Sequence, residues 1–274
     1  MALSKQRTDE LSAMCSRFRR SVLKSIHAVQ SGHAGGSLSV CEILTLLYQE
    51  RMNLNDVNSP ERDRLVLSKG HAAPMMYINL IEKGFLPEDS MNTLRRTNSI
   101  LQGHPSNSTP GVEMPSGPLG LGLSAGQGMA LALSLDGSAS RVYVVMGDGE
   151  LNEGAVWEAA MSAPKFKLCS LTAIIDHNKV QLDGTTDEVM PLGDLTAKWQ
   201  AFGWNVLRCD GHDFNELSDA LDKAEAYKEG PTVIIADTIK GKGVSFMEGK
   251  AAWHGKPLGD EDLKLALEEL GGDL

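Results

Sequence analysis

The chain has 274 residues, 42% hydrophobic and 23% charged, an ordinary globular composition that excludes a disordered or fibrous protein. Its 36 acidic and 26 basic residues leave a net charge of −10, which excludes a general nucleic-acid or anionic-membrane binder but not a local phosphate site. Apolar runs such as residues 142–146 are too short to span a bilayer, MALSKQRTDE lacks a signal-type stretch, and Cys15, Cys41, Cys169 and Cys209 form no CxxC pair, so a cytoplasmic protein with reduced thiols is expected.

Leu11, Cys15, Phe18, Val22, Ile26 and Val29 recur at helical spacing, and the Gly-rich stretch 31–36 is expected to end that helix. Ser39 and Glu42 have capping-box spacing ahead of a second helix running to Tyr48. β-Branched runs predict strands at 65–68, 142–146, 171–176, 205–208 and 233–237. Helical stretches fall between them at 123–135, 154–163 and 214–227, the last with Asp213 and Glu216 as cap residues. This alternation predicts an α/β fold, a parallel β-sheet with helices on both faces and ligands at the carboxyl ends of the strands. No linker or repeat divides the chain. Residues 1–258 read as one domain and 259–274 as an acidic, solvated terminal helix.

Glycine departs most from average usage, with 28 residues, about one in ten. Five of the seven histidines adjoin glycine: His212 in DGHDF, and four in more distinctive loop motifs, His33 in SGHAGG, His71 in SKGHAA, His104 in QGHPS and His254 in AWHGK. One such pair is an ordinary surface loop; four in the loops of an α/β chain point to a ligand site, where glycine lets backbone approach closely. His27, His177 and His212 read as structural, the last as a loop residue before a helix.

The segment VYVVMGDGELNEG runs a buried-type strand into Gly147, Asp148 and Gly149 and then into a helix. A carboxylate at a strand end beside flexible glycines suits a hard cation bridging to phosphate oxygens, and the following helix start suits the anion. Thirty residues on, a second strand ends at Asn178, whose amide oxygen, with a backbone carbonyl two residues later, completes an oxygen set for Mg²⁺.

GDGxxNEG with the downstream Asn resembles the thiamine diphosphate motif. With SGHxG, SKGHA, GHP, SGPLGxG and WHG in the same order, the chain resembles transketolase from about residue 10 to 260. The likeness covers only the amino-terminal, diphosphate-binding domain of the single-chain enzyme, so the chain is most similar to the amino-terminal subunit of a split, two-subunit transketolase. That resemblance implies ketol transfer from a ketose, such as a ketose phosphate, to an aldose acceptor. It implies thiamine diphosphate with Mg²⁺ (or another divalent cation such as Ca²⁺ or Mn²⁺), sugars as the small-molecule substrates, and activity only with a carboxyl-terminal partner subunit, in an α₂β₂ assembly. It assigns Asp148, Asn178 and the Val180 carbonyl to the metal. Gly147, Gly149, Glu150, His71 and His254 go to the cofactor, as does the turn of Ser116, Gly117, Pro118 and Leu119. His33, His104 and His254 would line the substrate channel, and Glu153 would link to the partner's catalytic glutamate.

Ala34 stands where many single-chain members have proline, and His177 precedes Asn178 where another residue is common. The loose GxGxxG/A match at 120–125 follows Met114-Pro115-Ser116-Gly117-Pro118, which is no strand, so a dinucleotide fold is not expected. The twelve methionines read as core filling. Two alternatives stay open: a related ketol transferase for a modified, branched or sulfonated sugar, and a non-catalytic binding or regulatory subunit.

Overall fold

A computed structural model describes residues 3–272. Five strands form one sheet, β1 (Arg64–Leu67), β2 (Val142–Gly147), β3 (Leu171–His177), β4 (Asn205–Asp210) and β5 (Thr232–Asp237), in the order β1-β2-β3-β5-β4. Every pair is parallel, with Val145 opposite Ile174 and Ile174 opposite Ile234. Successive strand residues serve opposite cores: Tyr143, Val145 and Ile174 face one, Val144, Met146 and Ile175 the other.

The first core lies under α1 (Lys5–Val29), α2 (Ala34–Ser39), α3 (Cys41–Leu46), α4 (Ala73–Glu82), α9 (Phe214–Ala226) and α10 (Asp260–Glu269). The second lies under α5 (Gly122–Leu135), α6 (Gly154–Lys165) and α8 (Leu195–Ala201), while a one-turn helix, α7 (Thr186–Val189), precedes α8. An aromatic cluster closes the second core. Trp157 lies 5.2 Å from Trp199 and 5.5 Å from Phe202, and its Nε1 donates to Leu151 O at 2.8 Å.

The first helix ends at Val29, just before the glycine stretch, as expected; Gln30 caps it in the left-handed region, and Gly35 and Gly36 then enter α2. A Cβ on Gly36 would stand 3.0 Å from the His71 ring, so a larger residue there would press on that ring. Two sequence expectations need correction. Ser39 and Glu42 form no capping box, because Ser39 Oγ donates to Asp176 at 2.6 Å and Glu42 pairs with Arg19. Finally, α10 is not a solvated tail: Leu263, Ala266 and Leu267 are buried in the first core and Arg20 reaches Leu270 O. Residues 273 and 274 of that segment lie outside the described residues. Asp213 does cap α9, accepting from Asn215 N and Glu216 N, whereas the Glu216 carboxylate accepts from Asp210 N. All four cysteines are unpaired, and no helix among the described residues is long and apolar enough to cross a membrane.

Candidate active site

The carboxyl ends of β1, β2, β3 and β5 open into a cleft of about 340 Å³. His33 enters at the start of α2, His71 after β1, Asp148, Gly149 and Glu150 after β2, Asn178 and Val180 after β3, and Lys240 after β5. His104, Gly117, Leu119 and His254 come from loops. Gly147 and Glu153 also line it, whereas Ser116 and Pro118 sit in the adjoining turn. A larger open groove of about 860 Å³, by Asp63, Ser140 and Arg141, lies at the opposite, amino-terminal strand ends and holds none of the motif residues.

The four motif histidines meet. The His33 ring is 5.4 Å from His71, 6.0 Å from His104 and 5.3 Å from His254, and His71 is 5.2 Å from His254. Burial, then the neighbouring rings and cations, lowers all four from the usual imidazole range: His33 to about 4, His254 to about 3, His104 below its ordinary value and His71 far below it. At neutral pH they are therefore uncharged rings, able to donate at one nitrogen and accept at the other.

Lys240 lies among them, donating to Val180 O at 3.0 Å and to His254 Nδ1 at 2.8 Å. With Nδ1 accepting, the His254 proton sits on Nε2. Burial first, then the Lys69 charge, lowers Lys240 to about 8.

Asp148 accepts from Gly149 N at 2.7 Å and from Lys179 N. Burial, reinforced by the nearby Asp176 charge, raises it to about 6. Asn178 Oδ1 accepts from Val180 N at 3.1 Å while its Nδ2 donates to Asp176. Among the described residues no three His, Cys, Asp or Glu side chains converge as a metal set. A cation here would rest on the carboxylate, amide and carbonyl oxygens of Asp148, Asn178 and Val180, a hard donor set suited to Mg²⁺.

Behind that set, Asp176 is fully buried and accepts from Ser39, Lys69, Asn178 and Thr238. Burial opposes its charge, but the Lys69 ammonium and these donors hold its carboxyl below the ordinary value. One carboxylate thus ties α2, the SKGHA loop, the end of β3 and the segment after β5. Glu150 does the same for the other wall, accepting from Ser68 Oγ, Gly120 N at 2.8 Å and Gly147 N at 3.1 Å. Its carboxylate is occupied by protein donors. Glu153 is exposed at the rim, its Cβ against Gly120, whose φ of 87° lets the turn pass.

Sequence reasoning missed Lys69, Asp176, Gln181 and Lys240. Lys69 lies within the SKGHA motif and Asp176 at a recognised strand end, so both had a signal; a lysine after the last strand had none. Three buried polar atoms at or beside the cleft have no partner: His33 Nδ1, Ser116 Oγ and Gln181 Nε2. Groups left so are costly unless a ligand meets them.

This cleft at the strand ends, with uncharged histidines around a buried ammonium and an oxygen cluster, defines an anionic-cofactor site of an α/β enzyme. Residues 11–273 match the family described as transketolase, thiamine diphosphate binding domain. The chain is 44% identical to the 6-deoxy-6-sulfo-D-fructose transketolase subunit SqwG of Clostridium sp. (strain MSTE9), covering 98% of each. It is also 44% identical to one subunit of the apulose-4-phosphate transketolase of Actinobacillus succinogenes, covering 96% of each. A transketolase structure from Pichia stipitis in complex with sedoheptulose 7-phosphate superposes with a TM-score of 0.91 at 31% identity, over 96% of this chain and 41% of that one. The chain belongs to the transketolase family and comprises its thiamine diphosphate-binding domain. It spans less than half the length of the single-chain enzyme.

Proposed function

We propose that this chain is the amino-terminal subunit of a two-subunit transketolase, working with a carboxyl-terminal subunit in an α₂β₂ assembly. The observation that carries the reading is that Lys240 and four uncharged histidines line the same cleft as Asp148, Asn178 and Val180, with Lys240 donating to Val180 O. A cytoplasmic location is in keeping with its unpaired cysteines.

The unpartnered His33, Ser116 and Gln181 atoms and the hard oxygen set fit thiamine diphosphate with Mg²⁺. When bound, that cofactor supplies the carbanion chemistry of ketol transfer. Asp148, Asn178 and the Val180 carbonyl would hold the cation, and Gly149 N, His71 and Lys240 would meet the diphosphate. Leu119, at the mouth, would exclude water from the reacting end. His33, His104 and the Nε2–H of His254 would bond sugar hydroxyls and exchange protons at their oxygens, work suited to uncharged imidazoles. Glu153, exposed at the rim, would face the partner's catalytic glutamate.

A modified sugar is the second reading for the substrate, favoured by the two full-length relatives named for sulfofructose and apulose phosphate. The deciding experiment isolates the complex from source cells and assays a ketose panel with the second chain present and absent. Ketol transfer is expected only with both chains, thiamine diphosphate and Mg²⁺. Full activity of this chain alone would overturn the two-subunit reading, and a complex without cofactor or activity would favour a binding subunit.

A further inference from the structure

His212 lies outside the cleft, yet both ring nitrogens are engaged. Ile239 N donates to Nε2 at 2.9 Å, and Nδ1 stands 2.9 Å from Glu42 Oε2. A backbone N–H can only donate, so Nε2 is the acceptor and the ring proton sits on Nδ1, donated to Glu42. Glu42 is gripped in turn by Arg19 Nη1 and Nη2, each at 2.8 Å, and Arg19 Nη2 also donates to Leu38 O at 3.0 Å. A buried ion pair between α1 and α3 is thereby connected, through one imidazole, to the backbone amide preceding Lys240.

The remaining main-chain bonds of this segment are backbone to backbone. Thr238 N donates to His177 O, Gly241 N to Gly35 O, Lys242 N to Ile239 O, Val244 N to Gly241 O and Gly249 N to Lys240 O. Among the described residues His212 is the only side chain bonded to the main chain of residues 238–242. Lys240 has little tolerance for backbone drift, since its ammonium must reach Val180 O and His254 Nδ1 together.

We propose that His212 is a positioning residue for Lys240, its Nε2 fixing the Ile239 amide and with it the loop that aims the ammonium into the cleft. Its importance for catalysis rests on the reading of Lys240 as a diphosphate contact; the positioning itself is testable with no cofactor present. Glutamine at 212 keeps an acceptor near the place of Nε2, whereas asparagine keeps a donor near the place of Nδ1.

The test is acetylation of lysines in the full chain, read by peptide mass spectrometry, for the wild type, His212→Ala, His212→Asn and His212→Gln. Lys240 and Lys69 are 2% and 1% exposed, so Lys69 controls for general loosening. Losing the bond to Ile239 N is expected to speed Lys240 labelling about tenfold in the Ala and Asn variants, with Lys69 unchanged and the Gln variant near the wild type. Unchanged Lys240 labelling, equal rises at Lys69 and Lys240, or rescue by Asn rather than Gln each overturn the proposal. Should His212→Ala fail to fold, the Gln and Asn variants carry the same decision. Failure of Lys240 to contact diphosphate would leave these rates untouched, so the two readings fail separately.

Discussion

Replacing Glu42 by glutamine would leave the Arg19 guanidinium buried without its counter-charge. Both side chains are under a tenth exposed, and both terminal nitrogens of Arg19 meet the carboxylate at 2.8 Å. Burial alone would raise the Glu42 carboxyl; the Arg19 guanidinium and the His212 ring instead hold it at about 2, against an ordinary 4.5. That gap corresponds to about 3 kcal/mol, close to the roughly 3–5 kcal/mol lost when a buried pair is broken by removing one partner. For a domain of this size the melting temperature should fall by roughly 10 °C. The folded pKa lies below the unfolded one, so the stabilisation is complete above about pH 4.5 and is lost as pH falls toward about 2. Thermal and urea unfolding of wild type and Glu42→Gln at several pH values reads both effects. A difference below about 1 kcal/mol at neutral pH, or one that does not narrow on acidification below about pH 4.5, would refute the reasoning.

Asp148→Ala removes the one carboxylate of the oxygen set and should weaken Mg²⁺-dependent thiamine diphosphate binding by roughly 100-fold in the assembled enzyme; unchanged affinity by calorimetry would dismiss the metal assignment. His104→Ala should retain the cofactor while kcat/KM falls by roughly 100-fold, and full activity would reduce His104 to a structural role. Gly122→Ala would drive a Cβ into the Ser68 side chain, which bonds Glu150 and Gly122 N, and should cost about 2 kcal/mol. A urea midpoint equal to that of the wild type would contradict the packing described.

The strands were legible because each is a short apolar run between turn residues, with β2, β3 and β5 buried along almost their whole length and β4 left partly exposed, and four histidines were legible because their glycine-flanked motifs recur in loops. Less visible was anything set by partners distant in sequence. Ser39 and Glu42 have the spacing of a cap, but Asp176 and Arg19, 137 and 23 residues away, claim their side chains. Helix α4 escaped notice because its residues are buried almost all round, leaving no polar stripe to mark a period. Lys240 was missed for the same reason: its meaning lies in Val180 and His254, which only the fold brings to it.

The four tryptophans fall into two groups, neither lining the cleft but each adjoining one of its segments. Trp157 bonds the turn just after Asp148 and belongs to the Trp199–Trp204–Phe202 cluster, while Trp253 immediately precedes His254 and carries Lys256 over its face. Trp157 and Trp253 are therefore the tryptophans expected to sense binding in the cleft. An optical titration with cofactor needs no dye, and Trp157→Phe and Trp253→Phe would assign the signal to the segment after β2 or to the loop that carries His254.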